Sequence, residues 1–175
     1  EKAELATRIA AHAGDPIIIS RPLLDWNIPL FQRPQHIAMH LAKSGHLYYY
    51  CTVNRIYDSV WGYEELAEGL YLTNRFNRLM ESSGRRVLHI YSTDLEVEWT
   101  LIAKELESGN IILYEYIDEI SPLIPGVPIP ERVFVRTFAG STFALVSKRG
   151  AAAGSTRENT VVTPRRQKNR AQRID

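Results

Sequence analysis

A single cysteine, Cys51, is all the thiol chemistry this 175-residue chain holds. One thiol excludes an internal disulfide and any cysteine-based zinc site. Its neighbours, YYYCTV, suit a buried strand in which a thiol is a small apolar side chain; a catalytic thiol is the alternative. Long hydrophobic runs are missing as well. No apolar stretch approaches the roughly 20 residues that a membrane-spanning helix needs. No signal-peptide pattern is visible, and the first residue is Glu1 rather than Met, which reads as a trimmed start. Neither G-x-G-x-x-G nor G-x-x-x-x-G-K-[ST] occurs, so the usual dinucleotide fingerprint and the P-loop are excluded. There is no internal repeat.

What is present is the composition of an ordinary soluble globular domain. Hydrophobic residues make up 45% and charged residues 23%, enough for one domain with a substantial core. A cytoplasmic location is the simplest expectation. The net charge of +1 hides an asymmetry: residues 1–150 hold 15 Lys/Arg against 18 Asp/Glu, and residues 151–175 hold 6 against 2. The basic end, TPRRQKNRAQRID, has no aromatic residue for base stacking. A solvated tail is therefore preferred to a nucleic-acid contact.

Short apolar runs alternate with helical patterns. Strands are expected at 17–20, 47–53, 69–73, 86–92, 110–116, 143–147 and 160–163, all short, β-branched or aromatic, and several apolar throughout. An amphipathic helix fits the first fourteen residues, with Leu5 and Ile9 on one face. Residues 34–44 form a second, with Pro34 in its first turn and Gly45 as its stop. Residues 94–108 form a third, with Asp94 as N-cap, and residues 131–141 a weaker fourth. The stretch 121–130, with four prolines, reads as a loop. The expectation is an α/β fold: a Rossmann-like open parallel sheet of six or seven strands, with helices on both faces. Residues 1–15 form an amino-terminal helix and linker, 16–163 the domain, and 164–175 a basic, disordered tail.

In such sheets ligands lie beyond the carboxyl ends of the strands. Three loops leave those ends: RPLLDWNIPLFQRPQH, STD at 92–94, and IDEISP at 117–122. Without glycine, the segment 25–36 must work through side chains. Arg33 stands at the amino end of a helix, where anions are preferred; it either meets a bound anion or braces the loop against Asp25 or Asp118. Trp26 and Phe31 offer an apolar platform for a sugar ring or lipid, or else plug the sheet. His36 in the first helical turn can reach a ligand. His36 and His40 have zinc-compatible spacing, but no third ligand is evident, so no metal is expected. Asp118 falls just past a strand, where a hydroxyl-binding carboxylate would sit. Glu115 and Glu119 read as solvated or as partners of nearby bases.

The pattern W-x5-Q-R-P-Q-H-x-A-x2-L-A-x2-G-H, from Trp26 to His46, resembles the amino-terminal domain of GT-B glycosyltransferases of the group 1/family 4 type. YEYIDEI, residues 114–120, is similar to a Y-D-x-x-D-E segment of the same proteins. The resemblance covers residues 16–163. It implies the acceptor-binding half of a transferase, cytoplasmic or peripheral to the inner membrane face. Such an enzyme moves a sugar from a nucleotide-sugar co-substrate to a glycan or lipid-linked acceptor in polysaccharide biosynthesis. Asp25, Trp26, Arg33, His36 and Asp118 are the candidate substrate-binding residues; no catalytic residue is assigned. The donor-binding carboxy-terminal domain that the resemblance implies lies outside this sequence, so this chain alone is expected to be inactive. The rival readings are a non-catalytic sugar- or phosphate-binding domain and a nucleic-acid-associated module.

Overall fold

A computed structural model describes residues 2–12, 14–91, 94, 97–115, 133–137 and 143–148. The elements run α1 (Lys2–Ala11), β1 (Ile17–Ser20), α2 (Arg33–Lys43), β2 (Tyr48–Cys51), β3 (Tyr63–Ala67) and β4 (Leu70–Thr73). They continue with α3 (Phe76–Met80), β5 (Arg86–Tyr91), α4 (Trp99–Glu107), β6 (Ile111–Glu115), β7 (Val133–Thr137) and β8 (Phe143–Lys148). All eight strands join one sheet in the order β3-β4-β2-β1-β5-β6-β8-β7. Its centre, β4-β2-β1-β5-β6, is parallel throughout. The chain builds outward from β1 to β4 and then returns past β1 to β5, so the strand order reverses between β1 and β5.

The sheet is α/β, as the alternation of elements predicts, but it is mixed rather than wholly parallel. The pairs β3–β4, β6–β8 and β7–β8 are antiparallel. Two further corrections concern helices. Residues 133–137, expected within a helix, form β7; Val133, Phe134, Val135 and Thr137 are strand formers that pair with β8. The helix expected from Asp94 begins at Trp99 instead. Asp94 does not cap it; its carboxylate accepts a hydrogen bond from Tyr91 N–H at 2.8 Å and closes a turn after β5. The expected strand 160–163, the loop 121–130 and the tail 164–175 lie outside the described residues.

Alternation along the central strands divides the core into two layers. Ile17, Ile19, Tyr49, Cys51, Leu88, Ile90 and Ile112 face one side, covered by Leu5 of α1, Phe76 and Leu79 of α3, and Ile102 of α4. Ile18, Tyr48, Tyr50, Leu70 and Leu72 face the other, covered by Ala38 and Ala42 of α2. Helices thus flank both faces. Ile19, Leu72, Ile90 and Ile112 are completely buried, each stabilising the fold by roughly 1.5–3 kcal/mol relative to exposure.

Helix α2 is placed by its ends. At its start the Gln35 side chain accepts a bond from Gln32 N–H at 3.1 Å and donates to Asp25 O at 3.1 Å. At its finish Gly45 has φ +91°; its N–H meets Ala42 O at 2.8 Å, and His46 N–H meets Leu41 O at 3.2 Å. Those two bonds make a Schellman cap, for which a residue without Cβ is the least strained choice. Among the described residues no helix is long and apolar enough to cross a membrane.

Candidate functional site

The carboxyl ends of β1, β2, β5 and β6 carry a polar layer on the α2 side of the sheet. Register places Ser20 beside Tyr50 and His89, and Tyr91 beside Glu115. Ser20, His89 and Glu115 are completely inaccessible or nearly so. Burying such groups is costly unless they are hydrogen-bonded, and a chain of bonds meets most of that demand. Tyr48 Oη and His89 Nδ1 lie 3.1 Å apart, and His89 Nε2 lies 3.3 Å from Glu115 Oε2. The other oxygen of Glu115 accepts a bond from Arg33 Nε. A consistent protonation has Tyr48 donating to Nδ1 and Nε2–H donating to the Glu115 carboxylate. Burial lowers the His89 pKa; Glu115 opposes that shift without reversing it, and Arg33 adds to it, so the imidazole is neutral. Burial likewise pushes the Tyr48 and Tyr91 phenols up, so both keep their protons.

The anion that a cation at the start of α2 calls for is therefore the protein's own. Arg33 pairs with Glu115, not with Asp25, and its side chain is about half exposed while that of Glu115 is fully buried. Two further hydroxyls of the same layer, Ser20 Oγ and Tyr91 Oη, are buried near Tyr48 and make no well-formed hydrogen bond among the described residues. The layer itself is closed to solvent, and the half-exposed Arg33 is the part of it that reaches the surface. The layer offers no activated nucleophile, since the acid and the imidazole are already engaged.

Asp25 faces its own chain. Its carboxylate accepts from the N–H groups of Ile56 at 2.7 Å, Tyr57 at 2.8 Å, Arg55 at 3.1 Å and Asp58 at 3.4 Å, and from the Thr52 hydroxyl at 3.2 Å. Burial alone would raise its pKa; the four amides overcome that and hold it at about 2. Asp58 answers in kind, accepting from Trp26 N–H at 2.7 Å and from Asn27 N–H at 2.9 Å. The loops after β1 and β2 are thus clasped by two carboxylates in opposite directions.

Trp26 is buried in the α2-side core, edge-on to Tyr50 at 5.1 Å and to Phe31 at 5.2 Å. It plugs the end of the sheet, while Phe31 is 37% exposed and also touches the His36 ring edge-on. His36 and His40 are both exposed on α2. Asp118 lies outside the described residues. Among the described residues no three His, Cys, Asp or Glu side chains converge as a metal site. Cys51 is fully buried, and burial raises its pKa, which disfavours the thiolate.

Sequence reasoning overlooked His89 and Tyr48 and undervalued Glu115. The available signal was alternation: Glu115 is two residues beyond Leu113 and so shares a sheet face with it, not with Ile112 or Tyr114. Asp58 left no signal that separates it from any loop carboxylate. No protein-family model, curated protein or solved structure matches this chain.

Proposed function

We propose that this chain is the acceptor-binding, amino-terminal unit of a GT-B sugar transferase. The parallel core has the doubly wound order of a Rossmann-like domain, read as β4-β2-β1-β5-β6. One observation carries the reading further. Arg33 belongs to the QRPQH segment and Glu115 to the YEYIDEI segment, the two stretches that bear the resemblance, and they meet in a direct ion pair beside the strand-order reversal. Residues 82 positions apart in sequence form one polar unit. The buried hydroxyls of Ser20 and Tyr91 lie in the same layer.

In this reading the chain supplies position rather than proton transfer. It holds a sugar or lipid-linked acceptor so that one hydroxyl meets a nucleotide-sugar donor bound elsewhere; orientation of that kind accounts for much of the rate of group transfer. A loop without glycine suits a glycan held by side chains better than a pyrophosphate lying on bare backbone.

The experiment is binding to a printed array of neutral and acidic oligosaccharides, per folded molecule, for the native chain, Arg33→Ala and Arg33→Lys. Arg33→Ala is expected to weaken binding at least about tenfold, or 1.4 kcal/mol. Arg33→Lys should restore part of it, since an ammonium lacks the planar fork. Unchanged binding in Arg33→Ala with a lowered Tm would make Arg33 a brace and remove the main support for the reading.

A further inference from the structure

Among the described residues, every large hydrophobic side chain that stands exposed falls between Leu24 and Trp61. Leu30 and Phe31 follow β1, and Ile56, Tyr57 and Trp61 follow β2. These strands are parallel neighbours, so both loops leave the same edge of the sheet. The two carboxylate clasps draw them together. Asp25, next to Leu24, accepts from Ile56 and Tyr57 N–H, and Asp58 accepts from Trp26 N–H. Trp26 meets the Phe31 ring, which in turn meets the His36 ring on α2 at 6.2 Å. Leu30, Ile56 and Trp61 are 73%, 80% and 79% exposed. Single exposed hydrophobics are ordinary on any protein, but a set gathered on one edge marks a contact surface.

Charge gives this edge a second character. Between Pro16 and Gly62 the only acids are Asp25 and Asp58. Both are buried, with their carboxylates turned inward onto backbone amides. No acidic side chain of the stretch therefore faces solvent. Its basic side chains do. Arg33, His36, His40 and Lys43 are exposed on α2, spaced three, four and three residues apart, so they share one helix face. Pro34, Gln35, Ala38 and Ala42 hold the opposite face against the protein. Arg33 keeps Glu115 as its partner, but that acid is fully buried and never reaches the surface. Apolar loop tips, aromatic side chains with a polar handle and an adjoining basic face match the layers of a bilayer surface: acyl chains, headgroup boundary and anionic headgroups.

We propose that this edge docks on an anionic lipid bilayer. Leu30, Ile56 and Trp61 enter the boundary between headgroups and acyl chains, and the basic face of α2 lies against the headgroups. The contact needs no glycan and holds whether or not the chain takes part in sugar transfer.

Flotation of the full chain with vesicles tests this, using phosphatidylcholine alone and phosphatidylcholine mixed with phosphatidylglycerol. The chain is expected to float with the mixed vesicles, far less with the neutral ones, and less with either as salt is raised. Leu30→Ser and Ile56→Ser together should weaken the partition at least about tenfold. Lys43→Glu should weaken it at least about fivefold. All three are surface changes and should leave the Tm near native. Tryptophan emission should move to the blue on the mixed vesicles, and Trp61→Phe should abolish that shift. No flotation with the mixed vesicles, equal flotation with both kinds, or variants that partition like the native chain would each overturn the proposal. So would a blue shift that survives Trp61→Phe. A chain that ignores vesicles and forms dimers broken by Leu30→Ser and Ile56→Ser would assign the edge to a second copy instead. Glycan binding on the array is read without lipid and through Arg33, so the two readings fail separately.

Discussion

Replacing Asp25 by Asn removes one charge and one acceptor from the point where two loops are tied. The carboxylate takes bonds from Ile56, Tyr57, Arg55 and Asp58 amides and from Thr52. An asparagine can keep the pair at Ile56 and Tyr57 on its oxygen, but its NH₂ group then faces donors. A buried donor without a partner costs roughly 1–3 kcal/mol. The charge adds a separate component. The carboxyl is held at about 2 against an ordinary 3.8, a difference of roughly 2 kcal/mol by linkage. Because the folded value is the lower one, that stabilisation is complete above about pH 4 and is lost as the pH falls toward 2. Asp25→Asn is therefore expected to lose about 3–5 kcal/mol at pH 7 in urea unfolding. It should also lose the part of the acid dependence that lies between pH 4 and 2. A variant within about 0.5 kcal/mol of the native chain at pH 7, the scale of an ordinary surface change, would refute the clasp.

The buried pair between β5 and α4 gives a second expectation. Glu105 receives Arg86 Nε at 2.6 Å and Asn110 Nδ2 at 2.9 Å, with side chains only 2% and 11% exposed for Glu105 and Arg86. Glu105→Ala should cost about 3–5 kcal/mol, because it strands a buried guanidinium, whereas Glu81→Ala at the exposed Arg78 pair should cost less than about 1 kcal/mol; equal losses in urea titrations would contradict this. The third expectation concerns His89, whose folded pKa is lowered from 6.5 by burial. The unfolded chain binds the extra proton, so stability should fall as pH drops below about 6.5, and His89→Gln should flatten that slope in parallel unfolding curves.

The central strands were legible because IIIS, YYYC and LYLT are buried at every position, which leaves only the reading of a strand covered on both faces. The edge strand β3 was not. Its YEELA sequence puts Glu64 and Glu65 in solvent and pairs antiparallel with β4, so it has no apolar run to betray it. Helix α3 spans five residues, too few to show a period. Residues 133–137 satisfy helix and strand templates alike, and only pairing with β8 decides between them. At the site, Arg33 was legible from its place before Pro34 at a helix start. Its partner was not, because which carboxylate reaches it depends on the register of β6 against β5, which sets Glu115 level with Tyr91. Asp25 looked like a ligand residue because sequence shows a carboxylate in a loop and cannot show the amides that fill it.

The assignment of this chain to the acceptor side meets its most direct test in a two-ligand titration followed by backbone amide shifts. An oligosaccharide selected from the array is expected to move the signals of Gln32–His36 and Glu115. UDP-glucose is expected to bind no tighter than about 1 mM, near −4 kcal/mol. Binding of UDP-glucose below about 10 µM, or glycan shifts that spare the Arg33–Glu115 pair, would contradict the assignment.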